Sequence, residues 1–346
     1  MTQSASAPKP LLAVLKGERC NPAPMWLMRQ AGRYLPEYRQ LRQEKGSFLD
    51  LVYDSDAAAE VTLQPLERFD FDAAILFSDI LIVPFAIGQN LSFVAGEGPR
   101  LTPPLVSAHL DSLTPTLTRL EPVYETVRKV KARLPQGAAL IGFAGAPWTV
   151  ATYMVAGQGS RDQAEPRRLA YSDPERFAGI IERIEDVTFS YLCGQIEAGA
   201  EVIQLFDSWA GSLAPEQFER WVIAPTARLV ERLKSEHPDV PIIGFPKGAG
   251  SKLRSYAEET GVDCVGLDET VDPAWANREL APGFPVQGNL DPLALIAGGE
   301  QMRETVRRII DALHDRPHIF NLGHGILPDT PIANVEQLVA LVKGKE

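Results

Sequence analysis

The sequence predicts an α/β protein built on a parallel sheet, and three observations carry that prediction. Short apolar runs alternate with helix-patterned stretches along the chain, as in repeated βα units. The runs end in polar or glycine-rich turns, where a strand hands over to a helix. The length, 346 residues, suits one barrel of about 250 residues with added loops better than two domains. Periodicity alone leaves two arrangements open, a closed (β/α)8 barrel and an open doubly wound sheet.

Residues 1–10 (MTQSASAPKP) read as a disordered tail ahead of a single domain that takes up the rest of the chain. Seven runs read as strands: Ala73 to Phe77, Ala139 to Phe143, Glu201 to Phe206, Pro241 to Phe245, Val262 to Leu267, Pro285 to Gly288 and His318 to Leu322. An eighth is not evident. Helical patterns occupy Thr116 to Leu134, Ser251 to Thr260 and Glu300 to His314, each before an apolar run. The fullest αβ step starts at Ser172, Asp173, Pro174 and Glu175, a capping-box pattern with proline in the first turn. Phe177, Ile180, Ile181, Ile184 and Val187 follow at helical spacing, and Gly199 stops the run. The proline-rich stretch Gly96 to Pro104 reads as a long surface loop.

The balance of 34 Lys plus Arg against 45 Asp plus Glu, net −11, argues against a non-specific grip on nucleic acid or an anionic membrane, while leaving room for a local basic cleft. Cys20, Cys193 and Cys264 are widely spaced and odd in number, so they suggest neither a disulfide framework nor a CxxC metal site. A reducing cytoplasm fits them. The apolar run Leu11 to Leu15 is too short for a secretory core, and no stretch has the roughly 18 apolar residues of a membrane span.

Common cofactor signatures fail. There is no GxGxxG after a strand, and Gly244 to Lys252 only imitates a phosphate loop, because its Gly-Ser-Lys order breaks the required Gly-Lys-Ser/Thr. His314 and His318 have i, i+4 spacing, but Pro317 lies between them at a helix-to-strand boundary.

The segment Pro24 to Tyr38 (PMWLMRQAGRYLPEY) gathers Trp26, Tyr34 and Tyr38 around Arg29 and Arg33. If helical, it puts both arginines on one face, where two planar guanidinium forks match two carboxylates of one substrate. Gly32 lets the backbone approach closely. The string MRQAGRYLPEY resembles the N-terminal signature of the uroporphyrinogen decarboxylases. The resemblance recurs at Phe77 to Leu81 (FSDIL), Gly142 to Thr149 (GFAGAPWT), Thr152 to Met154, Gln204 to Gly211 (QLFDSWAG), Gln287 to Asp291 (QGNLD) and Asn321 to Gly325 (NLGHG). It implies a (β/α)8 barrel of the TIM type, a homodimer, no metal or organic cofactor, and conversion of uroporphyrinogen III to coproporphyrinogen III.

Asp79 lies just past a candidate strand, where it is either a turn cap or, as barrels keep their chemistry there, a site residue. The resemblance makes it the acceptor of the macrocycle's pyrrole N–H groups, placed to stabilise positive charge on a protonated ring. It likewise implies substrate contacts at Arg29, Gln30, Ala31, Gly32, Arg33, Tyr153, Phe206, Ser208 and His324. Tyr153 read alone is a half-buried packing residue, Ser208 a turn hydroxyl and His324 a structural histidine in a glycine turn. Asp79, Arg29 and Arg33 are the catalytic candidates, although a guanidinium of pKa above about 12 rarely gives up a proton.

Three rival readings have their own marks. Lys247 at a strand end is the position of a Schiff-base lysine. A zinc-dependent corrinoid methyltransferase uses a His-x-Cys pair, and no such pair occurs here. A tetrapyrrole carrier would bind through the same arginines without turnover.

Overall fold

The computed structural model describes residues 9–94, 98–160 and 162–345. Seven strands form one parallel sheet: β1 (Ala73–Ile75), β4 (Ala139–Gly145), β5 (Val202–Asp207), β6 (Ile242–Pro246), β7 (Cys264–Gly266), β8 (Val286–Leu290) and β9 (His318–Leu322). Between β1 and β4 in the chain, β2 (Asn90–Val94) and β3 (Gly98–Thr102) pair antiparallel as a separate ribbon. Every predicted strand is present. All seven are buried on both faces, which is why they read as unbroken apolar runs.

Strand order follows chain order, β1-β4-β5-β6-β7-β8-β9, without reversal. A doubly wound sheet has a switch point where the order reverses, so that alternative is removed. The sheet is also curled: Gln287 Nε2 on β8 donates to Gln204 Oε1 on β5 at 3.2 Å, although β6 and β7 lie between those strands. Trp26 Nε1 extends this buried polar chain by donating to Gln287 Oε1 at 2.9 Å.

Trp26 belongs to an extended segment bonded to both edges of the sheet. Phe320 N–H on β9 donates to Pro24 O at 2.8 Å, Trp26 N–H donates to Phe320 O at 3.3 Å, and Asp72 N–H, just before β1, donates to Met25 O at 2.9 Å.

Several expectations need correction. The segment carrying Arg29 and Arg33 is not a helix: Arg29 has φ 61°, and the helix begins only at Pro36, running Pro36–Lys45. Tertiary hydrogen bonds to β1 and β9 hold this stretch irregular. The long helix Pro174–Ala198 is capped by Asp173, which accepts from Arg176 N–H at 3.1 Å, whereas Ser172 ends the preceding helix Ala164–Ser172. The surface loop expected from Gly96 to Pro104 contains β3; Gly96 and Glu97 lie outside the described residues. Pro99 is tolerated because the ribbon is only two strands wide. Of the expected tail, residues 1–8 lie outside the described residues. Lys9 pairs with Glu201 at 2.7 Å, and Pro10 opens the helix Pro10–Leu15.

The other helical readings hold to within a turn, as Glu121–Arg133 after the 3-10 turn Leu117–Leu120, Leu253–Glu259 after Gly250–Lys252, and Gly299–Leu313. His314 caps the last of these and His318 opens β9, its Nε2 2.7 Å from Gly288 O, so the two stand on different elements. Among the described residues no helix is long and apolar enough to cross a membrane.

Candidate active site

The loop before Pro36 is pinned from inside. Gln30 is fully buried; its Oε1 accepts from Leu27 N–H at 3.0 Å and its Nε2 donates to Ala73 O on β1 at 2.9 Å. Its side chain therefore anchors the loop. Met28 N–H is held by Asn321 Oδ1 at 2.9 Å. Ala31 and Gly32 are half-buried, and a Cβ on Gly32 would sit 2.9 Å from Arg29 O, which makes the turn too tight for another residue.

Arg29 is exposed, but its stem lies along Gly325, where an added Cβ would come within 2.4 Å of Arg29 Cδ. Arg33 is exposed as well; its charge is felt at Tyr38, and its carbonyl accepts from Arg39 at 2.8 Å. Among the described contacts it is Arg29, not Arg33, that joins the other candidates.

Asp79 follows β1 in a turn fixed by Phe77 N–H donating to Thr62 Oγ1 at 3.0 Å and by Ser78 Oγ, 3.2 Å from Tyr191 OH. The Asp79 carboxylate accepts from Leu81 N–H at 2.8 Å, so the turn-cap reading is also true. Burial pushes its pKa up to about 6, against the pull of the Leu81 N–H and the Arg29 charge.

Tyr153 comes from the helix Pro147–Ala156, whose start is locked to β5: Thr149 Oγ1 donates to Asp207 and accepts from Trp209 N–H at 3.0 Å. Trp148 Nε1 adds a bond to Trp209 O at 3.1 Å. The Tyr153 phenol is raised by burial and feels Trp209, Asp79 and Arg29, and its ring lies 6.5 Å from that of Trp209. Phe206, next to last in β5, is half-buried, edge-on to Phe143 at 5.6 Å and to Phe245 at 6.1 Å; Asp207 ends the strand and half-buried Ser208 follows.

His324 lies beyond β9, its turn set by Gly323 N–H donating to Leu290 O at 2.8 Å. Its ring stands nearly parallel to Phe245 at 6.4 Å, and its Nδ1 is buried without a hydrogen-bond partner. Burial, then the Lys247 and Arg29 charges, push its pKa down to about 3, so the imidazole is neutral.

Arg29, Asp79, Tyr153, Phe206, Ser208 and His324 thus gather at the carboxyl ends of the strands, the rim on which barrel enzymes carry their chemistry. The described cavities of about 690 and 400 Å3 lie at the other end, around Pro241, Val262 and Pro285 and around Pro22 and Asp72, and hold none of the candidates. Sequence reasoning missed Asp207, Asp268 and Glu269. Asp207 and Asp268 sit one step past an apolar run, as Asp79 nearly does, and that position was the available signal.

A model of the family described as "Uroporphyrinogen decarboxylase (URO-D)" matches residues 6–344. A uroporphyrinogen decarboxylase from Rhizorhabdus wittichii is 68% identical over 97% of this chain and 98% of its own length. One from Sphingopyxis alaskensis is 64% identical over 98% and 99%, and one from Rhodospirillum rubrum 53% identical over 99% of each. Among solved structures, a methyltransferase from Methanosarcina mazei superposes with TM-score 0.81 over 97% of both chains at 18% identity, a likeness of fold alone. The chain belongs to the uroporphyrinogen decarboxylase family.

Proposed function

We propose that the chain decarboxylates the four acetate arms of uroporphyrinogen III, giving coproporphyrinogen III and CO2 in porphyrin and haem biosynthesis. The observation that carries the site assignment is the half-buried Asp79 carboxylate at the end of β1, within electrostatic reach of both Arg29 and Tyr153 on the rim at the carboxyl ends of the strands.

In each cycle a proton adds to the pyrrole carbon beside an acetate-bearing carbon. The bond to the carboxylate then breaks and CO2 leaves. Its electron pair flows into the cationic ring, and a proton taken up at the exocyclic carbon completes the methyl group as the ring proton departs. One proton is consumed per CO2 released. The pyrrole is its own electron sink, so the step calls for no added cofactor. The protein's tasks are orientation and preorganised charge. Asp79 accepts the pyrrole N–H groups and balances the ring cation. Arg29 and Arg33 hold acetates, with Gln30, Ala31 and Gly32 shaping the backbone between them. Tyr153, Ser208 and His324 bond further carboxylates, and Phe206 packs on the macrocycle.

The same reading carries a single domain closed as a (β/α)8 barrel, supported by the bonds of residues 24–26 to β9 and to Asp72 before β1. It also carries a homodimer in the cytoplasm, with sedimentation equilibrium as the check on the dimer. The reaction is tested by anaerobic incubation with uroporphyrinogen III, oxidation, and chromatographic counting of product carboxylates. Seven-, six-, five- and four-carboxylate products are expected; unchanged substrate with a folded protein overturns the reading.

A further inference from the structure

Lys247 and Glu269 stand on the catalytic rim without a part in the chemistry above. Lys247 is the first residue after β6, and Glu269 follows β7 by way of Leu267 and Asp268. Lys247 Nζ lies 3.5 Å from Glu269 Oε1, and the two side chains are 28% and 25% exposed. That separation exceeds the roughly 2.7–2.9 Å of a tight charge-assisted bond. Glu269 Oε2 is buried with no partner, so the pair is loose on both sides.

The loops that carry the pair are held firmly. Asp268, 2% exposed, accepts from Gly248 N–H at 2.7 Å and from Thr270 N–H at 2.9 Å, tying the turn after β6 to the turn after β7. Lys247 N–H donates to Asp207 O at 3.0 Å, and Gly211 N–H donates to Lys247 O at 2.9 Å. A loose ion pair on a rigid frame is arranged for exchange of partners rather than for stability.

The frame adjoins the candidate site. Gly323 packs so closely on Glu269 that a Cβ there would lie 2.2 Å from Glu269 N, and Gly325 lies on Arg29. His324 stands between these glycines, stacked on Phe245, with Nδ1 unpartnered. Lys247 and Arg29 thus bring two cations to neutral His324, beside the carboxylates of Glu269 and of Asp268, whose oxygens are engaged by Gly248 and Thr270. The substrate assigned above is an octacarboxylate, with far more anionic groups than the two arginines can serve.

We propose that Lys247 is a substrate-positioning residue that binds a carboxylate of the tetrapyrrole away from the reacting arm, and that Glu269 is its internal counter-ion until that carboxylate displaces it. The proposal rests on the decarboxylase reading. It replaces the Schiff-base role, since a part-exposed lysine facing a carboxylate at 3.5 Å is not the desolvated amine that such chemistry uses.

The test is steady-state kinetics of Lys247→Met, Lys247→Arg and Glu269→Gln with uroporphyrinogen III, alongside the parent and with thermal unfolding of each. Lys247→Met is expected to raise KM about tenfold, the loss of one charge-assisted contact in a half-exposed site, with a smaller effect on kcat. Lys247→Arg should recover most of that loss, and Glu269→Gln should lower KM by removing the competitor. A purely structural ion pair predicts instead a lower Tm in both charge-removing variants with KM unchanged, and that result overturns the proposal. Should Lys247→Met fail to fold, Glu269→Gln decides: an unchanged or raised KM refutes the exchange. An inactive, folded parent would refute the decarboxylase reading itself, and is distinguished by that control.

Discussion

Asp79 combines a structural and a chemical role in one carboxylate: one oxygen fixes its own turn through Leu81 N–H at 2.8 Å. Asparagine keeps that acceptor and removes the charge. Asp79→Asn should therefore show a Tm no lower than the parent's while kcat falls at least about a hundredfold, the usual scale for losing a preorganised charge partner. Because the pKa stands near 6, the parent's kcat/KM should fall with decreasing pH below about 6 as the carboxylate takes up a proton. A parent profile flat from pH 7 to 5 would refute the role. Arg29→Lys should raise KM more than Arg33→Lys, since only Arg29 is grouped with Asp79, Tyr153 and His324, and a lysine loses the planar fork. Equal effects would put Arg33 in the same pocket. The place of Asp79 past a strand end was legible as an acidic residue after an apolar run, whereas its proposed role rests on the family resemblance and not on that position. The inequality of the two arginines was not legible, because a non-glycine residue at φ 61° depends on tertiary contacts that no local pattern encodes.

At the scale of elements, the turn after β9 holds two glycines with different reasons to be glycine. A Cβ at Gly325 meets the flexible stem of Arg29 at 2.4 Å, whereas one at Gly323 meets the backbone nitrogen of Glu269 at 2.2 Å. Gly325→Ala should displace Arg29 and raise KM severalfold while Tm stays within a few degrees. Gly323→Ala has nothing pliant to push against and should cost about 1–3 kcal/mol of stability, read from the urea midpoint. Equal loss of stability in both would contradict this division. The strands were readable because burial on both faces leaves a continuous apolar signature. The ribbon β2–β3 was hidden because its second strand is rich in glycine and proline, and Arg29–Arg33 invited a helical reading because side-chain spacing was the only guide there.

For the whole molecule, the pH response of stability is set in the interior by the acid Asp207. It is fully buried, accepts from Thr149 Oγ1 through one oxygen, and has no partner for the other. Burial pushes its pKa up to about 7, against about 3.9 in an unfolded chain. The folded state therefore holds this proton where the unfolded state releases it. The associated stability is full below about pH 4 and is lost as pH rises through about 7. Asp207→Asn should consequently gain on the parent between pH 5 and 8, by on the order of 2–4 kcal/mol, measured by urea unfolding at each pH. Parallel curves would refute it. His318, held at about 4, works in the opposite sense as pH falls, but it is common to both proteins and cancels in the difference. The parallel βα architecture was legible from the chain alone. The curl was not, because it depends on Gln204 meeting Gln287 and Trp26 over a great sequence distance. That meeting also sets a schedule for synthesis. Residues near position 26 leave the ribosome some 260 residues or more ahead of their partners at Gln287 and Phe320. The nascent chain can thus tie its arginine loop to β1 early, through Gln30 and Ala73, while the bonds of that loop to β8 and β9 wait until the last of these strands has been made.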